Sequence, residues 1–81
     1  MSMDPQEFED RASRAYMRVT GARTKHGWIK WFAAQVRKSY GAVKRWKSGE
    51  HPVDPSAIVI LERIEADERE TRKRGRRRQR A

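Results

Sequence analysis

Between Trp31 and Gly49 the chain carries two apolar stripes too short to bury themselves separately. Phe32, Ala33 and Val36 stand three or four apart, Arg37-Lys38-Ser39 interrupts them, and Val43 and Trp46 resume the spacing. Each stripe needs the other as its partner, so the stretch reads as two helices joined by a tight corner. Ala33 offers a small side chain where the helices must approach closely, and Val36, Val43 and Trp46 fill the space between them. Ser39 is a favoured N-cap, so the second helix is expected from there to about Lys47, with Gly49 stopping it.

With Val43 and Trp46 inward, Tyr40, Gly41, Lys44, Arg45 and Ser48 are left on the outer face, which carries donors, one aromatic ring and no carboxylate. Such a face suits a polyanion. Arg and Lys can donate to guanine O6 and N7 in the DNA major groove, and a glycine permits close approach. The competing reading is an ordinary helical hairpin with a solvated basic face.

Phe32-Ala33, Val36, Ser39, Val43-Lys44-Arg45-Trp46 and Ser48-Gly49 resemble the helix-turn-helix of the Cro/CI-type (XRE) superfamily of phage and bacterial repressors. Glu50-His51-Pro52-Val53-Asp54-Pro55 is similar to the junction that follows it in small phage regulators, among them the anti-CRISPR-associated repressors. The likeness covers about Trp28 to Ile64. It implies base-reading residues at Ser39, Tyr40, Gly41, Lys44 and Arg45, duplex DNA as partner, and a setting in a phage or mobile element that represses its own transcription. The family usually has Gly at the corner with an apolar residue next, whereas this chain has Arg37 and Lys38. An Arg enters the left-handed region only at a cost, so the corner is expected to be redrawn or lengthened.

Eighty-one residues allow one small domain with a marginal core, and with no cysteine there is no disulfide, Cys-ligated metal or thiol nucleophile. No apolar run approaches the roughly 18 residues that span a bilayer, and the acidic N-terminus is unlike a signal peptide. A soluble protein of the bacterial cytoplasm, associated with the nucleoid, is expected.

The net charge of +9 is unevenly placed. Residues 1–21 hold three Arg against four acids (−1), 22–53 hold eight Lys/Arg against Glu50 (+7), 54–70 hold two Arg against six acids (−4), and 71–81 hold seven Lys/Arg and no acid (+7). A basic face and a basic arm on a neutral-to-acidic scaffold are the footprint of a nucleic-acid binder.

In chain order, Asp4-Pro5-Gln6-Glu7 is a helix start with a cap, a proline in the first turn and a capping-box acid, and Met3 can staple to Phe8. Phe8, Ala12, Ala15, Tyr16 and Val19 then share an apolar face up to Gly21. A second helix is expected from about Lys25 or Gly27 to Arg37, with Trp28, Phe32 and Val36 on one stripe and Trp31 at its edge. Its N-terminal amides, with Thr24, Lys25 and Lys30, can hold a DNA phosphate, and Lys38 and Lys47 are further phosphate candidates. Val53-Asp54-Pro55 repeats the start signal, and Ala57, Ile60, Leu61 and Ile64 should lay the last helix over the helix-turn-helix. Ile58 and Val59 lie off that face and suggest a homodimer seam on this helix. The expected core is Phe8, Trp28, Phe32, Ala33, Val36, Val43, Trp46, Leu61 and Ile64.

Helix can persist to about Lys73, but residues 71–81 cannot bury anything and are expected to form a disordered basic tail. Within it Arg72, Arg74, Arg76, Arg77 and Arg78 are placed to meet phosphates. His26 and His51 lack partners at metal-ligand spacing, and no phosphate loop, nucleophile elbow or acid pair is present, so neither metal, cofactor nor catalysis is expected. The expectation is an all-α domain of four or five helices over residues 1–70, followed by the tail. Two alternatives stay open: an RNA-binding or accessory nucleic-acid protein using the tail, and an inhibitor docking on an acidic protein surface.

Overall fold

The computed structural model describes residues 3–80, with side chains described through Thr71. The chain is all-helical: α1 spans Pro5–Thr20, α2 Trp28–Val36, α3 Tyr40–Ser48 and α4 Pro55–Arg80. Four helices stand where four or five were expected, and among the described residues none is long and apolar enough to cross a membrane.

The start signals form as their chemistry dictates. Asp4 accepts from the amides of Gln6 and Glu7, satisfying two of the donors a helix start leaves open. Glu7 does not close a capping box; its carboxylate takes Arg11 one turn on, at 3.2 Å. Asp54 repeats the cap on α4 through the Ser56 amide at 3.1 Å. Gly21 and Gly49 end α1 and α3 in the left-handed conformation, as expected of C-caps.

Phe8 is the hub of the core. It is fully buried and meets Trp28, Phe32 and Trp46 edge-to-face, at centroid distances of 5.6, 5.3 and 6.0 Å. One ring on α1 thus holds both helices of the helix-turn-helix, and such pairs add stability beyond the area they bury. Ala12, Ala15, Ala33, Val36, Val43, Val53, Ala57 and Leu61 complete the buried set. Eight of the nine expected core residues are buried, while Ile64 is only half-buried at its edge.

Three expectations are corrected. Val19, placed on the apolar face of α1, is 51% exposed because Trp31 of α2 and Ile64 of α4 line a groove beside it instead of closing over it. Ile58, expected in a free seam, packs against the core, leaving Val59 exposed beside it. And α4 does not cover the whole helix-turn-helix: it packs on α1 and α2, whereas α3 packs on α1 and α2 without approaching α4. Arg11 ties α4 to α1, its guanidinium gripping both oxygens of Glu65 at 3.2 and 2.6 Å. That hydrogen bond, more than Glu65's charge, raises the already high pKa of the guanidinium. The bounds of α4 take in the stretch expected as a tail, but the side chains from Arg72 onward lie outside the described residues, and with them the five phosphate candidates there.

Candidate nucleic-acid interface

The corner between α2 and α3 is short and is not lengthened by the missing glycine. Arg37 itself takes the left-handed conformation, at φ 56° and ψ 41°. Its amide donates to the Ala34 carbonyl and that of Lys38 reaches the Ala33 carbonyl at 3.0 Å, the six-to-one bond of a Schellman ending. The turn thus keeps the short form of a helix-turn-helix, with its backbone strain accepted by an arginine.

Ser39 then caps α3, its hydroxyl accepting from the Ala42 amide at 3.1 Å. Val43 and Trp46 face the core, so Gly41 and Ser48 project directly away from it, with Lys44 and Arg45 flanking them and Tyr40 and Lys47 on one shoulder. All six outward residues are exposed, Tyr40 at 52%. A methyl group added at Gly41 would meet only the Ser39 hydroxyl oxygen, at 3.9 Å. Nothing inside the fold therefore demands glycine there. Gly49 is different: it needs φ +83°, and a Cβ on it would stand 3.3 Å from Pro5, so the end of α3 is set against the start of α1.

The shoulder with Tyr40 and Lys47 opens into a concavity of about 590 Å³ between α3 and the start of α2. Thr24, Lys25, His26 and Lys30 line its other side, and Glu9 reaches in from α1. The concavity joins three of the expected phosphate residues around α2 to α3. Gly27, the N-cap of α2, has φ 94° and no side chain to cap with, and the Ile29 and Lys30 amides precede the first intrahelical bond, that of Trp31 to the Gly27 carbonyl. These donors, four basic side chains and an aromatic ring make a surface suited to a phosphodiester.

Two of the expected phosphate residues already have acidic partners. Lys25 lies 2.8 Å from Glu9, whose hydrogen bond, and then its charge, raises the lysine's pKa. Lys38 stands on the far side of the corner, 3.9 Å from Asp54. Thr24, Lys30 and Lys47 are exposed. Glu9 and His26 belong to this surface although sequence reasoning misses both. Glu9 is sixteen residues from the lysine it holds, a separation that carries no helical signal, and an isolated His26 points to no phosphate until the start of α2 is in place. Compared with known proteins, the chain matches no family model, no curated protein and no solved structure.

Proposed function

We propose that this protein is a sequence-specific DNA-binding regulator of transcription, a repressor of the Cro/CI-type kind that reads the major groove with α3. The single observation that supports it best is the outer face of α3: Tyr40, Gly41, Lys44, Arg45, Lys47 and Ser48, all exposed, without a carboxylate. The acid-rich α4 packs away from α3, so the face keeps its positive potential. An α-helix fits the major groove, where Arg45 and Lys44 can donate to guanine edges and Ser48 or Tyr40 can meet neighbouring bases. Phosphates on one flank fall to the concavity at the start of α2, where Lys30 and Lys47 need no rearrangement and Lys25 must leave or share Glu9. Phosphate contacts set register and base contacts set sequence preference, so the two groups of residues have separable effects.

In this reading the protein works in the cytoplasm of a bacterial host, and the resemblance to small phage regulators makes the DNA upstream of its own gene the first operator to test. Binding to that DNA and to random duplexes of the same length is measured by gel shift at several salt concentrations. Selective binding that persists as salt rises supports the reading. Equal affinity for every duplex, falling together with salt, would leave only a non-specific polycation and refute sequence-specific regulation.

A further inference from the structure

The chain has two histidines, and the fold gives them different settings. His51 is exposed in the turn between α3 and α4, whereas His26 lines the concavity between α3 and the start of α2. Lys25-His26-Gly27-Trp28 is a tight turn, closed by the Trp28 amide donating to the Lys25 carbonyl at 3.0 Å. Gly27 takes φ 94° in it, and a Cβ there would stand 3.2 Å from the Tyr16 hydroxyl oxygen, so the turn is seated against α1. That seat keeps the exposed imidazole of His26 on the wall of the concavity. Lys25 and Lys30 flank it along the chain, Tyr40 and Lys47 stand on the α3 wall, and Glu9 reaches in from α1. Glu9 is engaged with Lys25 at 2.8 Å, and the charge of Asp10 adds to the hold on that lysine.

We infer that His26 is a phosphate contact that binds in its protonated form, so that the protein takes up a proton as it closes on DNA. This rests on the reading of the concavity as the phosphate flank of the interface. A neutral imidazole offers one N–H donor and no charge; the imidazolium offers two donors and a full charge, so an arriving phosphodiester favours the protonated form. Of the side-chain types around the concavity, imidazole is the one that ordinarily gains a proton between about pH 8 and pH 5.5; carboxylates ordinarily titrate near about 4, and amines and phenols near about 10. The sign follows from linkage. A group whose pKa is higher in the complex strengthens binding fully below its pKa in the free protein, and the gain is lost as pH rises through its pKa in the complex. Affinity should therefore rise as pH falls from about 8 and level off toward about 5.5. Phosphates are common to every duplex, so the gain is independent of base sequence.

Fluorescence anisotropy tests it, with labelled DNA from upstream of the protein's own gene and a random duplex of the same length, titrated at several pH values and salt concentrations. Affinity for both duplexes should rise about three- to tenfold between about pH 8 and pH 5.5, the equivalent of about half to one unit of pKa. The slope of log affinity against log salt should be steeper at the lower pH by up to about 0.9. His26→Gln should abolish both changes with unaltered circular dichroism, since the side chain is exposed. His26→Lys, with a permanent charge, should bind at the higher pH as tightly as the parent at the lower one, and His51→Gln should behave as the parent. A parent with a flat pH profile overturns the inference, as does a gain that survives His26→Gln or vanishes with His51→Gln. The two readings fail separately: a random duplex bound as well as the upstream DNA, with the His26-dependent gain intact, removes sequence-specific regulation alone, and a preference for the upstream DNA untouched by pH removes the His26 contact alone. Failure to bind either duplex overturns both.

Discussion

Arg37 holds the corner of the helix-turn-helix in a conformation that side chains avoid, and its replacement by glycine should make the protein more stable. The left-handed region costs a residue with a Cβ about 1–2 kcal/mol, whereas glycine enters it freely but loses about 0.5–1 kcal/mol of extra chain entropy on folding. The Arg37 side chain is exposed and the two hydrogen bonds of the corner come from backbone amides, so they survive replacement by glycine or alanine. Arg37→Ala is the proper reference, because it removes the same guanidinium and keeps the strain. The centres of the two ranges leave Arg37→Gly ahead of Arg37→Ala by about 0.75 kcal/mol. At roughly 4–8 °C per kcal/mol for a domain of this size, the midpoints should separate by about 3–6 °C. Thermal and urea unfolding followed by circular dichroism, with Trp46 and Trp28 fluorescence as a second probe, measure both quantities. Should the alanine variant prove the more stable, Arg37 is not in the left-handed region in solution and the corner is drawn differently.

Four further outcomes separate folding from reading. Gly41→Ala should raise stability by about 0.5–1 kcal/mol, since the added methyl makes only an ordinary contact with the Ser39 hydroxyl oxygen, yet weaken operator binding if α3 lies close in the groove; a gain in both would move Gly41 away from the DNA. Arg45→Ala should cost roughly 1–3 kcal/mol of specific affinity and relax one base position with unchanged circular dichroism, and undiminished operator binding would exclude Arg45 as a reader. Glu9→Gln releases Lys25 from its 2.8 Å partner, so the slope of log affinity against log salt should steepen by up to about 0.9; a constant slope would mean that Lys25 stays clear of phosphate. Deleting the chain after Glu70 should flatten that slope by about 0.9 for every phosphate that the arm neutralises, while the ranking of DNA sequences holds, and a scrambled ranking would make the arm a reader of bases.

What is legible in the sequence is what is encoded locally. Asp4, Ser39 and Asp54 cap helices because a short acceptor placed two or three residues before a free amide works in any context. The stripes Trp28-Phe32-Val36 and Val43-Trp46 are buried because their spacing gives each helix one apolar face. Hidden are the features decided by where a neighbour stops. Val19 continues the period of α1 by one turn, but the covering stops short of it: Trp31 and Ile64 line a groove beside it instead of closing over it. The same limit explains α4: Ala57 and Leu61 announce a buried face without saying whether it rests on α3 or on α1 and α2. In the candidate interface, the residues of α3 are legible as an outward set, whereas the Glu9–Lys25 pair and the concavity exist only once α1 is laid beside α2.

The pairing of acids follows from the same arrangement and bears on how the basic face keeps its charge. An acid-rich helix in so small a protein could neutralise Lys44 and Arg45 if it packed beside them. Here Glu65 is taken by Arg11 in a two-pronged, half-buried contact, and Glu68 lies against Arg18, both arginines belonging to α1. Asp54, at the start of α4, meets Lys38 on the far side of the corner, at 3.9 Å and partly in solvent, where the attraction is weak. The arginines of α1 thus do for the interface what distance alone would do poorly over a Debye length of about 10 Å: they occupy acids of α4 and leave the cations of α3 to an outside partner.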